Sequence, residues 1–198
     1  MTAEELRPLL AALDDQLTDY GAPIAAAFRP GLPPERVRDE LEAEGLAAHE
    51  DLVAWWSWHD GATGSDVAPD YSGPGIFYRP ETTLIGPWHA LSLSDSLRIR
   101  RWYREQGMMA TWVPVLQFEG QPVLSAETAS PGGDAPLHIV DEGVLPGTPP
   151  QFASLADFVR TVLRLFDEGA VAVHPEQPGV PWFDTANLDG DLRRLCFW

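Results

Sequence analysis

The sequence predicts an α+β fold: a largely antiparallel sheet in meander order, packed by helices. Two observations carry it. Residues 46–61 and 154–168 repeat apolar side chains at the helical period, and strand-like runs at 111–118, 122–124 and 137–140 lie between them, separated by turn residues. Strands so close in sequence leave no room for the long crossover that parallel neighbours need, so they pair antiparallel. A chain of 198 residues with 44% hydrophobic content fits one domain of ordinary globular composition. A chain of that size buries roughly 70% of the surface it exposes when unfolded.

Taken in order, Leu6, Leu9, Leu10, Leu13, Leu17 and Tyr20 place a helix over 4–20. Pro8 either starts it or kinks it, because its ring clashes with the carbonyl four residues back. Gly21 and Pro23 close this helix, and 21–33, rich in Pro, Gly and Ala, reads as a linker. Pro33-Pro34 opens a second helix with Val37 and Leu41 on its apolar side and Gly45 at its end. The helix over 46–61 follows at a tight turn. At about 100° per residue, Leu46, Ala48, His49, Leu52, Val53, Trp55, Trp56 and His59 share one half of it, while Glu50, Asp51, Ala54, Ser57 and Trp58 share the other. Gly61 is the usual residue just past a helix end.

Residues 61–75 read as loop, and 76–78 and 84–88 as short strands, the second broken by Gly86-Pro87. Ser94 is the expected cap of a helix over 95–106, in which Arg98, Arg100, Arg101 and Arg104 crowd together. They are either counter-charge for acidic neighbours or a site for an acidic ligand. Pro114 marks its strand as an edge or a bulge. Glu119-Gly120 turns into the next strand, and 130–133 into the one after it. Ser154 caps an amphipathic helix with Leu155, Phe158, Val159, Val162, Leu163, Leu165 and Phe166 on one side; Asp157, Arg160, Thr161, Arg164, Asp167 and Glu168 lie on the other. Gly169 ends it. Residues 170–174 are a last short strand and 188–195 a helical turn or two. This divides the chain into a helix and linker (1–29), the α+β domain (30–174) and an extension packed on it (175–198).

The formal net charge is −17, with 30 acids against 13 bases, and every base is arginine. Such a surface repels phosphate backbones, which argues against a nucleic-acid partner. It attracts a basic protein and speeds the encounter, and it also keeps the protein soluble. No apolar run reaches membrane-spanning length, and Glu4, Glu5, Asp14, Asp15 and Asp19 are unlike a secretory signal or presequence. The expectation is a soluble cytoplasmic protein with no membrane partner. Cys196 is the only cysteine, flanked by Leu195 and Phe197, and reads as apolar filler.

Motifs for chemistry are sparse. The sequence has no Gly-x-Ser-x-Gly elbow, no phosphate-cradling loop and no dinucleotide fingerprint, and without lysine no side-chain Schiff base forms. His49 and His59 do not share the (i, i+4) spacing of zinc helices and read as structural histidines. No metal and no cofactor is expected. Trp58, on the polar half beside Asp51 and Asp60, is the better candidate: an aromatic anchor for a basic partner, or a side chain covered by the 61–75 loop.

Trp58-His59-Asp60-Gly61 at a helix end, Trp112-x-Pro114 on a strand, and Ser154-x-x-x-Phe158 at the start of the last helix occur in the order of a known family. The chain resembles the SUKH superfamily, which includes the fungal Smi/Knr-type regulators of cell-wall synthesis and bacterial immunity proteins of polymorphic toxin systems. The likeness covers roughly residues 30–170. It departs where members often carry an Asp after the Trp-x-Pro strand; here the run is Leu124-Ser125-Ala126-Glu127-Thr128. The resemblance implies a non-enzymatic protein-binding domain without cofactor, whose partner is a toxin to be blocked. A regulatory scaffold for a housekeeping partner is the second expectation, and a hydrolase or metal enzyme built on the His/Asp set the third. The expected contacts are Asp51, Trp58, Asp60, Asp66 and Asp70.

Overall fold

The computed structural model describes residues 3–64, 80–108, 110–118, 122–129, 135–140, 149–174, 177–183, 188 and 190–195. Helix α1 (Ala3–Tyr20) contains Pro8 within its span, so it does not start there. A proline inside a helix costs about 3 kcal/mol. Leu6, Leu10, Leu13 and Leu17 are all at most 2% exposed, and each buried leucine returns about 1.5–3 kcal/mol, so the stripe outweighs the proline.

The stretch read as a linker is structured. Helix α2 (Pro23–Ala27) is followed by strand β1 (Phe28–Pro30), which pairs antiparallel with β2 (His59–Ala62). Elements this short have no periodicity of their own, and their partners fix them. Gly31 shows how closely: a Cβ there would overlap the Ser57 carbonyl, so only glycine lets the chain pass that backbone. Helix α3 (Pro34–Ala43) starts on Pro33-Pro34 as expected, and Gly45, at φ +73°, turns the chain toward α4 (Glu50–Trp58).

Helix α4 stops at Trp58, three residues before Gly61. His59 is already extended, because His59–Ala62 serves as the partner strand of β1. Gly61, at φ +69°, is needed for a different reason: a Cβ there would come within 2.6 Å of the Ser92 backbone nitrogen. Residues 46–49 precede the helix. Its burial is also wider than one stripe, since Asp51 and Ala54 are buried along with Leu52, Val53, Trp55 and Trp56.

The sheet is the expected antiparallel meander. Strands β3 (Thr83–Ile85), β4 (Trp88–Ala90), β5 (Trp112–Phe118), β6 (Val123–Glu127) and β7 (Leu137–Val140) lie side by side in sequence order, every pair antiparallel. The run at 84–88 is therefore two strands, turned at Gly86-Pro87. Pro114 lies in the central strand, not at an edge, and the register shifts between Pro114 and Leu116. Strand β4 pairs only with residues 116–118, so the proline sits past its end, where no ladder bond is lost. Helix α5 (Leu93–Glu105) is inserted between β4 and β5. Its cap is Ser92 rather than Ser94: the Ser92 hydroxyl accepts from the Asp95 N–H at 3.1 Å and donates to the Asp95 carboxylate at 2.7 Å, a reciprocal pair that fits only this register.

Alternation divides β6 and β7 between two clusters. Leu124, Ala126 and Leu137 join a large one that extends from Leu6 in α1 to Leu195 near the C-terminus. Val123 and Val140 face the other way, against Ile99 and Tyr103 of α5. Helix α6 (Leu155–Asp167) is capped by Ser154 as expected and lies against α1 on the large-cluster side, with Leu163 and Phe166 only half-buried and Thr161 buried. Beyond it, β8 (Val171–Val173) pairs with β9 (Pro181–Phe183), and a 3-10 turn (Gly190–Leu195) closes the described chain. The Trp88 indole N–H donates to the Leu195 carbonyl at 2.9 Å, tying this segment to the sheet. Arg194 grips Asp157 with two N–H groups at 2.7 and 3.2 Å and lies over the Phe152 ring. Residues 76–78, the turn at 130–133 and Cys196 lie outside the described residues.

Candidate functional site

The arginines of α5 are engaged in ion pairs. Glu44, at the C-terminal end of α3, receives Arg100 at 3.1 Å and Arg101 at 2.5 Å, with Arg104 at 4.0 Å; Arg98 pairs with Asp95 at 3.1 Å. Arg100, Arg101 and Arg104 act as counter-charge that fastens α3 to α5. Burial pushes the Arg100 guanidinium below its usual range, with Arg104 adding to this and Glu44 opposing it.

Around Trp58 the chain builds a different arrangement. Asp14 of α1 faces the junction of α4 and β2. One carboxylate oxygen accepts from the Trp58 indole N–H at 2.7 Å, and the other lies 3.0 Å from His59 Nε2. His59 Nδ1 lies 3.2 Å from the Arg29 carbonyl of β1. Both ring nitrogens of His59 thus face oxygen atoms, which fix the orientation of the ring. The rings are stacked: Phe28 lies parallel to His59 at 4.1 Å, and Trp58 packs on Phe28, Trp55 and His59 at 4.5–5.4 Å. The Asp14 side chain is still 38% exposed and that of His59 21%. An aromatic knot with a half-open carboxylate thus faces solvent at the seam of α1 and α4. A cleft of about 240 Å³ runs along this seam, lined by Arg7, Leu10, Ala11 and Asp14 from α1 and by Ala54, Ser57 and Trp58 from α4.

The predicted contact residues separate. Trp58 is at the seam and half-buried, held by Asp14 of α1 and packed on Phe28 of β1; residues 65–75 of the loop expected as its alternative cover lie outside the described residues. Asp51 is only 7% exposed and cannot meet a partner; its carboxylate accepts from the Leu52 N–H at 2.9 Å and the Ala135 N–H at 3.3 Å. Asp60 is half-buried and accepts from the Leu93 N–H at 2.8 Å, closing the first turn of α5. Asp66 and Asp70 lie outside the described residues. Asp14 was missed, yet its signal was present: it sits about 40° from Leu10 and 60° from Leu17 on the helical wheel, so an acid stood inside the apolar stripe. Phe28 gave no signal within its Pro- and Ala-rich surroundings.

The helices α1, α3 and α4 also carry exposed carboxylates, of which Glu50 is paired with Arg38 at 3.0 Å. Glu4, Glu5, Asp15 and Asp19 of α1 are exposed, as are Glu35, Asp39 and Glu42 of α3 and Glu50 of α4. His49 and His59 do not converge: His49 is buried at the start of α4, and His59 is bound to Asp14. Among the described residues, no three His, Cys, Asp or Glu side chains gather as a metal site would require, and no helix is long and apolar enough to cross a membrane. His89 is a separate case on the α5 side of the sheet. Thr82 hydrogen-bonds its Nδ1 at 2.9 Å, and burial pushes its pKa down to about 4, so it is neutral at physiological pH. No family model and no characterised protein matches the chain by sequence.

Proposed function

We propose that this chain is a non-enzymatic, cytoplasmic protein-binding domain that neutralises a basic bacterial toxin, and that the α1–α4 seam around Trp58 and Asp14 is its contact surface. The observation that carries this reading is the half-open Trp58–Asp14–His59 knot at the seam of α1 and α4. A rigid aromatic anchor beside an accessible charge is what interface hot spots are made of. A net charge of −17 steers a cationic partner toward it. The family resemblance at Trp58–Gly61, Trp112-x-Pro114 and Ser154–Phe158 supports the toxin as the class of partner.

The test is capture from the native cell, comparing the wild-type chain with a Trp58→Ala/Asp14→Asn double variant. A basic toxin domain retained by the wild type and lost by the variant is the expected result, and co-expression of the wild type should rescue growth from that toxin. Capture of a housekeeping protein instead would move the assignment to a regulatory scaffold. Retention of the toxin by both proteins would remove the seam as its site.

A further inference from the structure

The seam cleft has a shape and polarity more specific than an acidic surface. Its volume of about 240 Å³ is below the roughly 300–1,000 Å³ of small-molecule pockets, so one long side chain suits it better than a substrate. Each helix contributes one alanine to the lining, Ala11 from α1 and Ala54 from α4, and these small side chains leave room. Leu10 and Ala54 are buried and make the floor apolar. The ends differ in charge. Asp14 lies at one end with its carboxylate partly open, and Arg7 lies two helical turns away, about 10 Å along the axis. A cation is therefore favoured at the Asp14 end only. Trp58 supplies a ring there, its N–H directed at Asp14. Ser57 Oγ, in the same wall, is buried without a hydrogen-bond partner.

We infer that this cleft receives a single arginine side chain of the protein partner, its methylenes on Leu10 and Ala54 and its guanidinium against Trp58 and the open lone pairs of Asp14. Arginine suits the site better than lysine, because its planar, weakly hydrated head both stacks on an indole and donates to a carboxylate. The inference rests on the reading of the chain as a receptor for a basic protein, and it names the group that is read.

A titration without any partner tests it. The probe is Nα-acetyl-arginine methyl ester, followed through the eight indole N–H signals of the ¹⁵N-labelled protein, with that of Trp58 assigned from Trp58→Phe. A saturable shift of the Trp58 signal is expected, with a dissociation constant on the order of millimolar. The neutral citrulline ester should produce none, and the lysine ester a weaker one. Ala11→Leu fills the cleft from an exposed position without changing charge, and it should weaken arginine binding at least tenfold while the other indole signals stay in place; Asp14→Asn should do the same. No saturation by the arginine ester, an equal response to citrulline, or unchanged binding by Ala11→Leu would each overturn the assignment. Capture of a basic toxin that Ala11→Leu leaves undiminished would sink the arginine cleft but leave the proposed function standing. Arginine uptake without any captured toxin would do the reverse.

Discussion

The two faces of the sheet are held by different forces. On the face toward α1, α4 and α6, one apolar cluster runs the length of the chain and contains side chains as large as Trp56, Trp88 and Phe158. On the face toward α5, the buried apolar cluster among the described residues is Leu91, Ile99, Tyr103, Val123 and Val140. That face also buries His89, Gln117, Ser125, His138 and Arg100, and ties its helix down through Glu44. Burial of apolar area is non-directional and tolerant, whereas buried polar groups depend on each partner being present. The first face should therefore respond most to removal of volume, and the second most to a change of charge or proton.

The largest effect is expected on the apolar face. Phe158 is fully buried and packs edge-on against Phe152 at 5.3 Å. Phe158→Ala should cost about 3–5 kcal/mol in urea denaturation, independent of pH and salt. The next comes from acid on the other face. The pKa of His89 falls from 6.5 to about 4 on folding, so the unfolded chain takes up a proton that the folded chain refuses. Its contribution is complete above pH 6.5, declines as pH falls toward 4 and is flat below that, about 3 kcal/mol in all. Denaturation midpoints between pH 7 and pH 4 should show this decline, and His89→Asn should flatten it. Asp157 acts in the same direction at lower pH. Burial alone would raise its carboxyl, but hydrogen bonds from Arg194 and the Ala153 N–H outweigh this and hold it below its ordinary value. Its share is lost only as pH falls below 3.8 through the depressed value.

Glu44→Gln should cost about 2 kcal/mol, because it leaves the fully buried Arg100 without its counter-charge; Glu44 is 16% exposed, which keeps the loss below that of a fully buried pair. Unfolding the two variants in low and high salt sharpens the contrast, since Phe158→Ala removes no charge. Asp60→Ala should cost about 1 kcal/mol through the α5 terminus it holds. Asp14→Asn should cost less still, since the pair it weakens is half-exposed. Such a small loss would make Asp14 the better probe of binding, because a variant at Asp60 also loosens a helix.

How much was legible in the sequence follows the same division. The stripes of α1 and α6, the caps at Pro33-Pro34 and Ser154, and the meander were all legible, because each is written in local periodicity or turn chemistry. The strand pair β1–β2 was not: three residues beside a proline carry no pattern, and the partner lies some thirty residues on. The same pairing cut α4 short. The ion pairs of Arg100 and Arg101 with Glu44 and the capture of Trp58 by Asp14 join residues 44–57 apart, which no local window spans. Asp51 shows the opposite error. A wheel counts every acid as wet, and this one is buried because two backbone N–H groups reach it.

The α1–α4 seam combines both forces, an apolar floor and one open carboxylate, and the account depends on its being a contact surface. The direct measurement is calorimetric titration of the captured basic partner into the wild-type chain and into Trp58→Ala/Asp14→Asn. The predicted result is a loss of about 100-fold or more in affinity, about 3 kcal/mol, with folding intact. An unchanged dissociation constant would contradict it.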